Sequence, residues 1–274
     1  MIKLIHNANI VLEDMILENG HLIIEGDTIK KVSNDKIDYA FDFNEIDEII
    51  DAKNLYVIPG IIDIHSDAIE KEIEPRPSTL LPFNMAFYEL DKKLPSNGIT
   101  TVYHSIANII GIAKTKNINV ASHDDDTLEK MDFIKNIGIN VSEFPITLEV
   151  AKHSKKLGVL TCLGAPNIVR GKSHNNNLKA MDAILEDCCD IVCSDYLPSA
   201  MIKSMCIVAE RINNLNKAVS LFTSNPAKAV GIYDERGSIK ENKKADLVLV
   251  DIDSEYPKVV NTIVNGKTVY KREV

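Results

Sequence analysis

Residues 57–67 read VIPGIIDIHSD, an apolar run that ends in a knot of polar groups. Val57, Ile58, Ile61, Ile62 and Ile64 suit a buried strand, and its last residues carry His65 and Asp67, two positions apart. On extended backbone that spacing puts both side chains on one face, where an imidazole nitrogen and a carboxylate oxygen can chelate one divalent ion. A solvated strand end would read the same way if nothing else supported it. Five further runs repeat the pattern: TTVYHS (100–105), INVASHDDD (118–126), INVSEFP (139–145), VLTCLGAPN (159–167) and DIVCSDY (190–196). Each delivers His, Asp, Glu, Ser or Asn just past its apolar residues. Polar groups then converge at the carboxyl edge of a parallel sheet or barrel, where active sites of this architecture sit.

The segments between these runs fit helices. Leu128, Met131, Ile134 and Ile137 recur every three residues before Gly138, and Leu178, Met181, Leu185 and Cys188 follow an Asn-rich cap region. Gly98, Gly138 and Gly158 each stand between a helical segment and a β-branched run, the left-handed position that closes a helix. This is βα alternation.

Outside residues 57–232 the pattern changes to short β-branched runs with turn signals at Glu18-Asn19-Gly20, Glu25-Gly26-Asp27 and Asn265-Gly266. Neither end has enough strands to bury itself, but 1–56 and 233–274 together hold 98 residues, near the ~100 of a small sandwich. The expected fold is therefore α/β: a TIM-type barrel over 57–232 with a composite β-sandwich built from both chain ends. The 176 residues of the middle fall short of the ~200 that eight βα units require. Six units of about 29 residues fit.

Composition narrows the function. With 45% hydrophobic and 26% charged residues the chain is globular, and its formal charge of −9 argues against a nucleic-acid partner. No stretch approaches the ~18 apolar residues of a membrane span, and His6 and Asn7 break the N-terminal apolar run too early for a secretory signal. A cytoplasmic location without a membrane partner is expected. Five cysteines in apolar surroundings, with no CxxC pair, read as reduced, mostly buried thiols.

PGIIDIHSD, TSNPAKAVGI (223–232) and RGSIKENKKADLVLVD (236–251) resemble the amidohydrolase superfamily, metal hydrolases with a (β/α) barrel and a composite β-sandwich. IDIHSDAIEKEIEPRP (62–77), ASHDDDT (121–127), SEFPITLE (142–149), GAPNIVRGKSHNNN (164–177) and SDYLPSA (194–200) are similar to its phosphonate-metabolism branch. The activity of that branch is α-D-ribose 1-methylphosphonate 5-triphosphate diphosphatase, in the carbon–phosphorus lyase pathway.

The resemblance implies that His65, Asp67, His123 and Asp195 ligate a divalent metal, Zn, Mn or Fe, as one ion or two. Asp195 would also take a proton from the attacking water. The implied partner is a small phosphorylated sugar, gripped by Arg76, Arg170, Lys172 and His174, with Lys71 a weaker candidate. Asp126 reads as a helix cap, Asp124 and Asp125 as groups behind the ligands, and His6, His21 and His153 as surface residues. Two central βα units of the relatives have no counterpart: IIGIAKTKN (109–117) joins the second strand directly to the third, and no residue matches the bridging carboxylate. Two other readings stay open, a hydrolase of a cyclic amide or other small substrate, and a shortened inactive relative serving as a binding or scaffold subunit. Association with further copies of the chain is open as well.

Overall fold

The computed structural model describes residues 1–35, 46–104, 120–173 and 177–272. One extended run, 56–66, crosses from one sheet into another. Its first part, β5 (Tyr56–Pro59), belongs to an eight-stranded sheet, and its second, β6 (Ile61–Ser66), pairs in parallel with β7 (Ile99–His104). Gly60 sits at the crossing because a Cβ there would lie 2.2 Å from Thr100 Oγ1 on β7. The Thr100 side chain fills the space that any Cβ at this position would need.

Both chain ends build the eight-stranded sheet. β1 (Ile2–Val11), β2 (Ile16–Glu25), β3 (Thr28–Ser33) and β4 (Glu48–Asp51) come from the first, β12 (Leu247–Asp251), β13 (Lys258–Val264) and β14 (Lys267–Lys271) from the last. The order is β14-β13-β12-β5-β1-β2-β3, with β4 also on β1. The ends meet where Leu247 of β12 stands opposite Pro59 of β5. Ile5, Ile10, Leu22, Ile24, Leu247, Leu249 and Ile263 are buried in one cluster, so each end supplies apolar surface that the other covers.

The turn expected at Asn265-Gly266 joins β13 to β14, with φ of 48° and 72° at its two residues. The turn expected at Glu18-Asn19-Gly20 is not one. These residues lie inside β2 at a register shift against β1, and the chain reverses earlier, where Leu12 N–H donates to Met15 O. Gly20 makes room for Ile10, whose Cδ1 would be 2.7 Å from an added Cβ. His21, expected at the surface, is 3% exposed because β2 is sandwiched between β1 and β3.

All six expected central strands occur. β8 (Ala121–His123), β9 (Val141–Glu143), β10 (Leu160–Gly164) and β11 (Ile191–Cys193) form a parallel sheet in the order β11-β10-β9-β8. A parallel bridge between Ser66 and Asp195 links β11 to β6. The six units, expected to build a TIM-type barrel, form an open arc among the described residues, since β7 and β8 are not paired with each other there. Barrels of this class close when about eight strands share the curvature, and the six strands found here among the described residues, three of them only three residues long, do not complete the circuit.

The helices alternate with these strands: α1 (Ala68–Ile73), α2 (Phe83–Ser96), α3 (Leu128–Asn136), α4 (Leu148–Leu157), α5 (Ala165–Arg170), α6 (Ala180–Leu185), α7 (Ala200–Ile212), α8 (Leu215–Ser220) and α9 (Ser224–Ala229). None of the described helices is long and apolar enough to cross a membrane. Gly98, Gly138 and Gly158 take positive φ as expected, and Gly158 is the left-handed cap of α4. Asp126 does not cap α3. Thr127 does, accepting from Lys130 N–H at 3.1 Å, because its hydroxyl lies at the boundary where the chain turns helical. Asp125 is instead fully buried, accepting from the hydroxyls of Ser122 and Ser142 at 2.5 Å each and pairing with Lys130 Nζ at 3.1 Å, which pins β8 to β9.

All five cysteines are free, with Cys162, Cys188, Cys189 and Cys193 buried and Cys206 half-buried. Burial holds the Cys193 and Cys206 thiols up at about 11, so thiolate is scarce at neutral pH. Native protein at pH 7.5 should therefore react slowly with a thiol reagent and release five equivalents only on denaturation. Asp125→Ala should lower unfolding free energy in urea by about 3 kcal/mol, since it strands two buried hydroxyls and the Lys130 charge. Asp125→Asn should lower it less.

Candidate metal centre

The carboxyl ends of β6 and β11 are stitched together by backbone and side chain. Asp67 N–H donates to Asp195 O at 2.8 Å, and Asp195 N–H donates to His65 O at 3.2 Å. One position earlier, Ser194 N–H donates to the Asp63 carboxylate at 2.9 Å, and the hydroxyls of Ser194 and Ser66 are 3.1 Å apart. Asp63 is fully buried, and burial raises its pKa to about 6 against the opposing effect of its bonds from Ser194 and the His65 backbone. This stitching brings one ligand atom each from His65, Asp67 and Asp195 within 4.8 Å of one another.

His65 is 3% exposed, and its Nδ1 lies 2.8 Å from Glu143 Oε2 at the end of β9. A carboxylate there fixes Nδ1–H and aims Nε2 the other way, toward Asp67 Oδ2 at 3.5 Å. One imidazole nitrogen backed by an acid, with two carboxylates facing it, is a donor set that fits a first-row divalent ion. Asp195 takes φ of 53° and packs against bare Gly164, where an added Cβ would lie 3.3 Å from Asp195 Oδ2. Asp124 and Phe144, the residues just past β8 and β9, are left-handed as well, with φ of 52° and 55°. For a residue as bulky as Phe this costs on the order of 1–3 kcal/mol, a strain typical of functional edges. The Phe144 ring stands edge-on to His65 and His123, each at 5.0 Å.

His123 lies beside the three-residue group, with its ring 5.6 Å from that of His65 and Nδ1 3.1 Å from Asp124 Oδ2. Arg76, in the loop after α1, Arg170, at the end of α5, and Lys172 are exposed cations without an ion pair among the described residues. His174 lies outside the described residues. Glu143 went unassigned in the sequence reading. Its only signal was the polar residue closing the 139–145 run, and nothing local tells that it faces a histidine 78 positions away.

The amidohydrolase family model matches residues 106–269, more than half of the chain. The chain belongs to the amidohydrolase family. It is 37% identical over 166 residues to the α-D-ribose 1-methylphosphonate 5-triphosphate diphosphatase of Escherichia coli (strain K12), covering 60% of this chain and 44% of that protein. A 5-methylthioadenosine/S-adenosylhomocysteine deaminase of Bacillus cereus (strain B4264) is 27% identical over 186 residues, 59% of this chain and 42% of the deaminase. The chain thus spans less than half the length of both relatives. A solved amidohydrolase superposes with a TM-score of 0.74 over 99% of this chain and 100% of its own, at 14% identity, a likeness of fold. The neighbours imply a TIM-barrel-like α/β fold, of which this amidohydrolase presents an open arc. Amidohydrolases generally use divalent metals, and His65, Asp67 and Asp195 form a group that could hold one.

In the metal-free protein, burial pulls the His65 pKa down, but the hydrogen bond and charge of Glu143, then the charges of Asp67 and Asp195, outweigh it and hold the imidazole at about 9. A histidine raised from 6.5 contributes stability that is fully present below pH 6.5 and is lost as pH rises through 9. Metal-free protein should lose roughly 3 kcal/mol between these limits in pH-dependent urea unfolding. Glu143→Gln should flatten that slope.

Proposed function

We propose that this amidohydrolase is a metal-dependent hydrolase of a phosphoric anhydride, releasing pyrophosphate from α-D-ribose 1-methylphosphonate 5-triphosphate in phosphonate catabolism. One observation carries the reading: the His65–Asp67–Asp195 group stands at the carboxyl ends of β6 and β11 in a chain 37% identical over 166 residues to a diphosphatase of that activity. In this reading residues 57–232 are the hydrolase domain, and 1–56 with 233–274 form the composite β-sandwich that braces it. A cytoplasmic location belongs to the same proposal.

His65, Asp67 and Asp195 hold the ion, Zn, Mn or Fe, with His123 as the fourth ligand. When bound, a divalent ion polarises a phosphoryl oxygen and makes water acidic enough to react near neutral pH. The water oxygen attacks the phosphorus nearest the ribose while Asp195 accepts its proton. The bond from that phosphorus to the next bridging oxygen breaks, and pyrophosphate leaves with the electron pair. Arg76, Arg170, Lys172 and His174 oppose the charge that gathers on the leaving group. A chain of net charge −9 needs such local cations to seat a triphosphate at all.

The experiment is to purify the chain, measure its metal content, and follow pyrophosphate release with and without added divalent ion. Turnover should require the ion, and Asp195→Asn should lower kcat by about 10²-fold or more. Hydrolysis of a cyclic amide or deamination of a nucleoside, with the triphosphate untouched, would favour the other substrate class. Protein that takes up no metal and turns over neither substrate would be the shortened inactive relative.

A further inference from the structure

The two elements that carry the carboxylates of the metal centre also carry a cation and the ring that holds it. Asp67 stands at the N-cap position of α1, its side chain free of any capping bond, and Lys71 follows four residues later, so both lie on one face of the helix, a turn apart. The Lys71 ammonium sits 4.3 Å from the centre of the Tyr196 ring, and Tyr196 directly follows Asp195. An aromatic face attracts an ammonium without neutralising it. Among the described residues Lys71 makes no ion pair, and its helical neighbour Glu72 is engaged by Lys93 at 2.5 Å. Lys130, at the same edge, is the instructive contrast. It donates to His123 O and Asp124 O at 3.1 and 3.0 Å and pairs with Asp125, so its donors are committed to holding β8.

We propose that Lys71, steadied by Tyr196, binds a phosphoryl oxygen of the substrate seated at the His65–Asp67–Asp195 group, and so selects polyphosphate esters over neutral substrates. The proposal rests on the phosphoric-anhydride reading above. Lys71 is exposed on a short helix, so its replacement leaves the packed core intact. Its charge is unspent, its position is fixed by the ring, and its helix begins at a ligand. A phosphoryl oxygen bound there gains a charge-assisted hydrogen bond that a carbonyl compound of no net charge would not repay as well.

The test is calorimetric binding of inorganic tripolyphosphate to metal-loaded protein, together with KM and kcat for the triphosphate ester. Lys71→Met should weaken tripolyphosphate about 10- to 100-fold and raise KM with little change in kcat, at unaltered metal content. Lys71→Arg should recover most of the affinity. Tyr196→Phe, which keeps the ring, should match wild type, whereas Tyr196→Leu should bind several-fold more weakly. Wild-type affinity and KM in Lys71→Met would overturn the proposal while pyrophosphate release by that variant left the hydrolase reading standing. Loss of bound metal in Lys71→Met would also overturn it, since the lysine would then be structural. Metal-loaded wild type that neither binds tripolyphosphate nor releases pyrophosphate would overturn both.

Discussion

The edge-to-edge contact of β6 with β11 is the constraint on which the rest depends. His65 lies on β6 and Asp67 just past its end, Asp195 lies 128 residues beyond Asp67, and the backbone bonds Asp67 N–H to Asp195 O and Asp195 N–H to His65 O bring them to one place. Buried Asp63 secures the contact from below by accepting Ser194 N–H. Its Oδ1 accepts that bond while burial favours the protonated acid, so the residue's tolerance of burial is tied to the pairing it enforces. The candidate metal centre is therefore a product of strand register, and a slip of one residue would turn His65 to the opposite face.

The frame behind β6 is equally specific. β5 and β6 are one extended run, so the eight-stranded sheet made by the two chain ends reaches the site through covalent chain, with Gly60 N–H held by Asp246 O at 2.8 Å. The far end of the sequence thus positions the strand that carries His65 and leads into Asp67. On the other flank Glu143 braces His65, and Asp125 ties the strand of Glu143 to that of His123. The arc holds its polar edge together through these buried acids even though, among the described residues, the ring of strands does not close.

Local features were legible in the sequence, and contacts between distant residues were not. All six central strands and the Asn265-Gly266 hairpin followed from alternation and turn chemistry, since each depends on neighbours in the chain. Asn19-Gly20 misled because a bulge and a turn call for the same residues; only the partner strand, with Ile10 opposite, separates them. His21 was misplaced for a similar reason, as burial on both faces of β2 depends on β1 and β3. The family was visible in PGIIDIHSD and its companion motifs. The brace from Glu143 and the pin from Asp63 were not, because each is a pairing across many tens of residues with no periodic signature. Closure of the barrel is likewise a property of the whole ring of pairings and cannot be read from any one strand.

The register of β6 against β11 gathers nitrogen and oxygen donors at His65, Asp67 and Asp195, with no cysteine among them. X-ray absorption spectroscopy at the edge of the metal carried by the purified, loaded protein tests this directly. A loaded protein should show a shell of only nitrogen and oxygen at about 2.0–2.2 Å, with the outer scattering of at least one imidazole. A sulfur scatterer at about 2.3 Å, or protein that takes up no ion when supplied with Zn, Mn and Fe in turn, would contradict it.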